Sequence, residues 1–154
     1  MKKIFTLLAV ILLYFAAHSQ AWIELGTGSN ALNANYSIWS IIADPGGNIY
    51  AAGGFTDSPT YIEGHSYVAK WDGTQWTELG GNGVNALNAN NAIYAITQDA
   101  AGNIYAAGNF TDPNGRQYVA KWNGTTWGEL GFDTIGLNAI APIYAITTDA
   151  VGNV

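Results

Sequence analysis

Ile104-Tyr-Ala-Ala-Gly-Asn-Phe-Thr-Asp112 and Tyr118-Val-Ala-Lys-Trp-Asn-Gly-Thr-Thr-Trp127 repeat an earlier stretch almost residue for residue. The first copy reads Ile49-Tyr-Ala-Ala-Gly-Gly-Phe-Thr-Asp57 and Tyr67-Val-Ala-Lys-Trp-Asp-Gly-Thr-Gln-Trp76. Self-similarity at such a spacing marks an array, in which one supersecondary unit stacks on copies of itself. Two anchors set the period. Trp22-Ile-Glu-Leu-Gly26, Trp76-Thr-Glu-Leu-Gly80 and Trp127-Gly-Glu-Leu-Gly131 lie 54 and 51 residues apart, and Asp44-Pro-Gly-Gly-Asn48, Asp99-Ala-Ala-Gly-Asn103 and Asp149-Ala-Val-Gly-Asn153 lie 55 and 50 apart.

Working outward from the second copy, β-branched and aromatic residues over 93–98, with counterparts at 38–43 and 143–148, predict a first strand. The Asp-x-x-Gly-Asn turn follows, its glycine free to take positive φ and its aspartate placed to cap turn amides. The second strand, 104–110, carries the small Ala106, Ala107 and Gly108, as expected where another backbone passes close. A polar loop over 111–117 leads to a third strand at 118–122. Asn123-Gly124, like Asp72-Gly73, favours a type I′ hairpin turn. A fourth strand at 127–130 completes an antiparallel meander of about 50 residues, the size of a propeller blade.

The expected architecture is all-β: a β-propeller incomplete in this chain, with two full blades (38–80 and 93–131), a lone fourth strand (22–26) and the start of a further blade (142–154). Between units run Asn30-Ala-Leu-Asn-Ala-Asn35 and Asn85-Ala-Leu-Asn-Ala-Asn90, weakened to Leu137-Asn-Ala139. They read as crossovers with Leu32, Leu87 and Leu137 as apolar plugs and asparagines suited to left-handed backbone. Ring closure removes exposed edge strands and needs about four to eight blades. Two explanations follow: the sequence is the N-terminal piece of a longer reading frame, or several copies close a ring. Its ending inside a strand at Val154 favours the former.

Residues 1–21 combine Lys2 and Lys3 with an apolar run from Ile4 to Ala17 and small Ser19 and Ala21, which reads as a secretory signal peptide. The run is shorter than the roughly 20 residues a spanning helix needs, so no membrane insertion is expected after cleavage. The rest holds three basic residues (Lys70, Arg116, Lys121) against eleven acidic ones, a formal charge of −8. That balance argues against nucleic acid and anionic membranes as partners. With no cysteine, an exported chain of this kind is held by burial, and 49% hydrophobic residues with six tryptophans suit that demand.

The strings Asn48-Ile-Tyr-Ala-Ala-Gly-Gly54 and Trp71-Asp-Gly-Thr-Gln-Trp-Thr-Glu-Leu79 resemble a kelch-type repeat, with a glycine pair after the second strand and an aromatic, turn, tryptophan ending. Asn109, Trp71 and Trp122 depart from that pattern. Asp99-Ala-Ala-Gly-Asn-Ile-Tyr-Ala-Ala-Gly108 is similar to the bacterial propeller repeat of exported proteins, including long surface proteins of Bacteroidetes-type bacteria. The resemblance implies a propeller at the cell surface.

Repetition also filters chemistry. Residues found in every copy hold the copy together, whereas a catalytic cluster has to break the symmetry. Glu24, Glu78 and Glu129 accordingly read as solvated positions on outer strands, and Asp44, Asp99 and Asp149 as turn caps. One carboxylate per turn falls short of a calcium shell. Trp71, Trp76, Trp122 and Trp127 read as packing between blades in preference to sugar platforms. The residues that break the repeat are Glu63, His65, Arg116 and Asp133. A Glu63/His65 acid-base pair is the weakest of these readings, and a multi-histidine metal site is excluded because His65 alone remains after signal removal. No cofactor is expected, since the glycine clusters near 26 and 80 precede no helix and do not form a phosphate loop. The ligand-binding candidates are the loop residues Tyr61, Glu63, His65, Asn114 and Arg116. The function expected is a non-enzymatic exported scaffold for adhesion or for binding protein or glycan at the cell surface, with a propeller enzyme (lyase, glycosidase or oxidase) whose site lies in further blades as the alternative.

Overall fold

The computed structural model describes residues 23–58, 64–81, 83–131 and 136–154. The signal-like segment, Tyr61, Glu63 and Asp133 lie outside the described residues. Among the described residues, eight strands form two four-stranded antiparallel meanders. The first orders β1 (Ile38–Ala43), β2 (Ile49–Gly53), β3 (Ala69–Trp71) and β4 (Trp76–Glu78); the second orders β5 (Ile93–Gln98), β6 (Ile104–Gly108), β7 (Ala120–Trp122) and β8 (Trp127–Glu129). The only helical turn among the described residues is a three-residue 3-10 segment, Gly28–Asn30. These are two propeller-type blades. No helix among the described residues is long and apolar enough to cross a membrane.

The sheets stack face to face. Ile42, Tyr50, Ala52, Val68 and Leu79 of the first blade meet Ile93, Ile96, Ile104, Ala106, Phe110, Ala120 and Trp127 of the second in one apolar cluster. The second blade offers its own Tyr105, Ala107 and Val119 to Ile143 and Ile146. Equivalent residues measure what stacking does. Ile38 and Ile41 are 43% and 61% exposed, while their counterparts Ile93 and Ile96, covered by the first blade, are 0% and 4% exposed. At roughly 1.5–3 kcal/mol for a fully buried isoleucine, the contact between units carries much of the stability that a cysteine-free chain needs.

Close approach explains the small residues of the second strands. A Cβ on Gly53 would collide with the Ser37 carbonyl oxygen, and one on Gly108 with that of Ala92. Each first strand carries a register shift at the same place, between Ile38 and Ser40 and between Ile93 and Ala95.

The hairpin turn differs from expectation. Gly73 and Gly124 have positive φ, but Asp72 and Asn123 do not, so the loop is not type I′. The Asp72 side chain accepts from the amides of Thr74 (2.9 Å) and Gln75 (3.0 Å), and Asn123 does the same for Thr125 and Thr126 (3.0 Å each). This side-chain capping stabilises a four-residue loop in place of the two-residue one. Residues 143–148 carry no ladder, although Ile143 donates to the Gly108 carbonyl (2.9 Å) and Thr148 Oγ1 to that of Gln98 (2.7 Å). Residues 23–26 likewise form no strand.

They serve as an acceptor instead. The Trp76 indole N–H donates to the Leu25 carbonyl (2.9 Å), and the Trp127 indole N–H to the Leu79 carbonyl (2.8 Å). The Trp-x-Glu-Leu-Gly signature is therefore a latch between successive units. Its glycine is required on two counts. Gly26 and Gly80 have φ of +82° and +99°, and a Cβ there would collide with the Asn30 and Asn85 carbonyl oxygens, with the Trp71 or Trp122 ring beside it.

Candidate functional site between the first and second blades

The connectors place the groups that matter. Asn33, Asn88 and Asn138 take left-handed backbone, with φ of 49°, 47° and 48°, which asparagine tolerates better than most residues. Two residues on, Asn90 clamps the loop of its own blade: its side-chain oxygen accepts from the Thr111 amide (2.9 Å) and its amide donates to Thr111 Oγ1 (3.0 Å). Asn35 makes the same pair with Thr56 (2.9 and 3.1 Å) and also donates to the Ser58 carbonyl (2.8 Å). Between these clamps the connector pairs with the preceding blade. Ala89 and Ser66 exchange both main-chain bonds (2.9 and 3.1 Å), as Ala139 and Gln117 do (2.9 and 3.0 Å).

A polar cleft of about 300 Å³ opens at the first of these crossings, lined by Gly54, Thr56, Gly64, Ser66, Asn90, Asn91 and Ala92. Ser66 is 3% exposed. Its main chain is satisfied, but among the described residues its hydroxyl has no hydrogen-bond partner. Asn91 spends its side-chain oxygen on the Ala92 amide (2.8 Å). At the second crossing Gln117 stands in the place of Ser66, with its Oε1 buried and unpaired among the described residues. Asn109 and Ile140 stand there in the places of Gly54 and Asn90.

An aromatic row flanks the cleft. Trp39 and Tyr94 occupy the register shifts of β1 and β5, where an extra residue re-aims its side chain. Their ring centroids are 5.1 Å apart, and Tyr94 stacks on Tyr144 at 5.3 Å with planes 3° apart. Tyr36 meets Trp39 edge-on at 6.2 Å, and a Cβ on Gly54 would meet both rings. Trp39 is 46% exposed.

The aspartate turns act as caps. Asp44 accepts from the Asn48 amide (2.8 Å), Asn48 Nδ2 (2.6 Å) and the Tyr50 hydroxyl (3.2 Å); Asp99 repeats this with Asn103 and Tyr105 (2.9, 2.7 and 2.9 Å). The asparagine side-chain bond leads in holding both carboxyls below the usual aspartate range, against the opposing pull of burial. Asp149 keeps the same bonds to Asn153 (2.8 and 2.7 Å).

The glutamates correct the sequence reading. Glu24 is exposed, but Glu78 and Glu129 are half-buried on the face between units. Glu78 shares its surroundings with Tyr67 and the connector residues Ala31 and Leu32, as Glu129 does with Tyr118, Ala86 and Leu87. The cross-strand partners of these glutamates are Ala69 and Ala120, too small to reach past the rings. Burial, with the nearby Asp57 charge second, pushes the Glu78 carboxyl up to about 7. Burial and Asp112 raise Glu129 in the same way. A glutamic acid near 7 beside an aspartate has the makings of an acid-base pair. Its recurrence in both blades marks it as part of the unit.

Of the loop candidates, His65 is exposed; its amide donates to Asp57 Oδ1 (2.7 Å) and its carbonyl accepts from the Asp57 amide (3.1 Å). Arg116 occupies the equivalent place in the second blade: its carbonyl accepts from the Asp112 amide (2.9 Å), its amide donates to Asp112 Oδ1 (2.9 Å), and the Asn114 amide donates to the same Oδ1 (2.8 Å). His65 and Arg116 therefore cap equivalent turns of different blades and do not share one pocket. No group of three or more metal-ligating side chains occurs among the described residues. Sequence reasoning missed Ser66, Asn91, Tyr94 and Tyr144. The signal was present, since Tyr94 and Tyr144 fall in the register of Trp39, and Ser66 in that of the larger Gln117.

The class of protein these features define is a stacked array of propeller-type blades. No protein-family model matches the chain, and no curated protein matches it in sequence.

Proposed function

We propose that the chain is an exported, non-catalytic binding module, whose stacked blades present loops to a protein or glycan at the cell surface. The observation that carries this reading is where the repeat breaks. The recurring aspartates and connector asparagines are engaged in caps and clamps, whereas the loop between second and third strands differs between blades. Asp57 closes on His65 eight residues on, while Asp112 closes on Arg116 only four residues on. Variation in a loop held on a constant scaffold is the usual arrangement of a binding surface. The likeness to exported kelch-type repeats supports the same reading and rests on residues that build the blade, so it speaks to location more than to ligand.

Exposed Ile38 and Ile41 fit cover by a further blade of the same kind, because a blade of this chain covers the equivalent Ile93 and Ile96. The test is to express the full chain in a bacterial host, follow its export, and measure attachment of the purified protein to intact cells and to isolated surface polymers. Saturable attachment without chemical change of the polymer is expected. Retention in the cytoplasm, or release of cleaved products, would overturn the proposal.

A further inference from the structure

We infer that the cleft between the first and second blades is a binding site for a neutral pyranose sugar. The inference rests on the binding-module reading and names the ligand class.

Three observations converge on it. The first is an unspent hydroxyl: Ser66 is almost wholly buried, lines the cleft, and its Oγ has no partner among the described residues. Unlike Gln117 Oε1 at the second crossing, this hydroxyl is not sealed in the interior, so it is left to bond a group that enters the cleft. The second is the character of the lining. Thr56 and Ser66 contribute hydroxyls and Asn91 its amide, Asn90 lines the space with the side chain that clamps Thr111, Gly54 and Gly64 add no side chain, and no charged side chain among the described residues lines the space. A hydroxyl-rich neutral ring is matched by such donors and acceptors, whereas a phosphate, a carboxylate sugar or an extended peptide would call for a cation or an open strand edge. The third is the half-exposed Trp39, whose ring with that of Tyr36 lies against Gly54 at the border of the cleft. An aromatic face beside hydrogen-bonding groups holds both the apolar and the polar side of a sugar ring.

The second crossing of the same chain acts as an internal control. There Gln117 replaces Ser66 and Asn109 replaces Gly54, so larger side chains stand where the first crossing is open. The volume of about 300 Å³ is at the lower end of small-molecule sites, which run from roughly 300 to 1,000 Å³, and suits a short saccharide.

The experiment uses the full chain and two variants, Ser66→Gln and Trp39→Ala, titrated calorimetrically with neutral mono- and disaccharides of glucose, galactose, mannose and N-acetylglucosamine. Sialic acid, a glucuronide and an acidic peptide complete the panel. The expected result is saturable binding of at least one neutral saccharide, weakened at least about tenfold by each variant. Both variants are checked for a cooperative unfolding transition like the parent's, which is expected for Ser66→Gln because glutamine is accommodated at the equivalent place in the second blade. Undiminished affinity in Ser66→Gln, or binding of charged probes alone, would overturn the inference. So would a chain that attaches to cell surfaces yet binds no neutral saccharide, and that outcome leaves the binding-module reading standing.

Discussion

Replacing Glu78 by glutamine should stabilise the protein at neutral and higher pH, and the direction follows from where the carboxyl sits. Its pKa rises from 4.5 to about 7 in the folded state, chiefly through burial beside Tyr67 and the connector, so between those values the folded chain binds more protons than the unfolded one. Stability from this group is therefore fully present below about pH 4.5 and is lost as pH rises through 7. At about 1.4 kcal/mol per pH unit, the shift sets a ceiling of about 3.5 kcal/mol. The carboxyl is only half-buried, so solvent screening reduces the expected effect to about 1–2 kcal/mol. Glutamine retains the shape and sheds the charge. Urea unfolding at pH 5 and pH 8 is the assay: Glu78→Gln should be near neutral at pH 5, stabilising by about 1–2 kcal/mol at pH 8, and should flatten the pH slope between them. Glu129 contributes a slope of the same sign that the variant leaves in place. A Glu78→Gln variant less stable than the parent at pH 8, or an unchanged slope, would refute the reasoning.

Glycines at two kinds of position should differ in sensitivity. Gly102→Ala meets open space at φ +88° and should cost about 1–2 kcal/mol of backbone strain, while Gly108→Ala drives a methyl onto the Ala92 carbonyl and should cost more, measured by thermal unfolding of both variants. Trp127→Phe removes the buried 2.8 Å bond to the Leu79 carbonyl and should cost about 1–3 kcal/mol in denaturant titration; no loss would show the latch to be idle. Asp99→Ala removes the acceptor of the Asn103 amide, Asn103 Nδ2 and the Tyr105 hydroxyl and should be destabilising near neutrality by about 1.5–3 kcal/mol, with the gap to the parent narrowing below pH 3.8. Asp99 is held below that value in the folded state, so its contribution is lost as pH falls through its lowered pKa.

Much of the blade was legible because each element had two copies to be read against. The first strands, 38–43 and 93–98, match the expected bounds, since β-branched residues and a following Asp-x-x-Gly-Asn turn fix both ends. The third strands begin at Ala69 and Ala120, two residues later than the aromatic pattern suggested. Tyr118 and Val119 fall outside the ladder because β6 beyond Ala106 pairs only with β5. The loop chemistry misled at Asp72-Gly73, where side-chain capping overrode the dipeptide preference. Glu78 misled for a different reason: its charge and outer-strand position suggest water, and only the connector of the adjoining unit, more than 40 residues away in sequence, takes that water from it. The cleft was harder still, because it depends on an absence of bulk at Gly54 and Ser66 that is seen only when two crossings are compared in space.

The indole latch gives the array a direction. Each tryptophan reaches back to a carbonyl synthesised some 50 residues earlier, so on a ribosome the acceptor is in place before its donor emerges, and a new unit docks on one already made. Every unit also carries one half of each junction, a donor for the unit before and an acceptor for the unit after. Duplicating or deleting a whole unit in the gene would leave each internal junction with both halves, which lets such an array change length without redesigning a single contact.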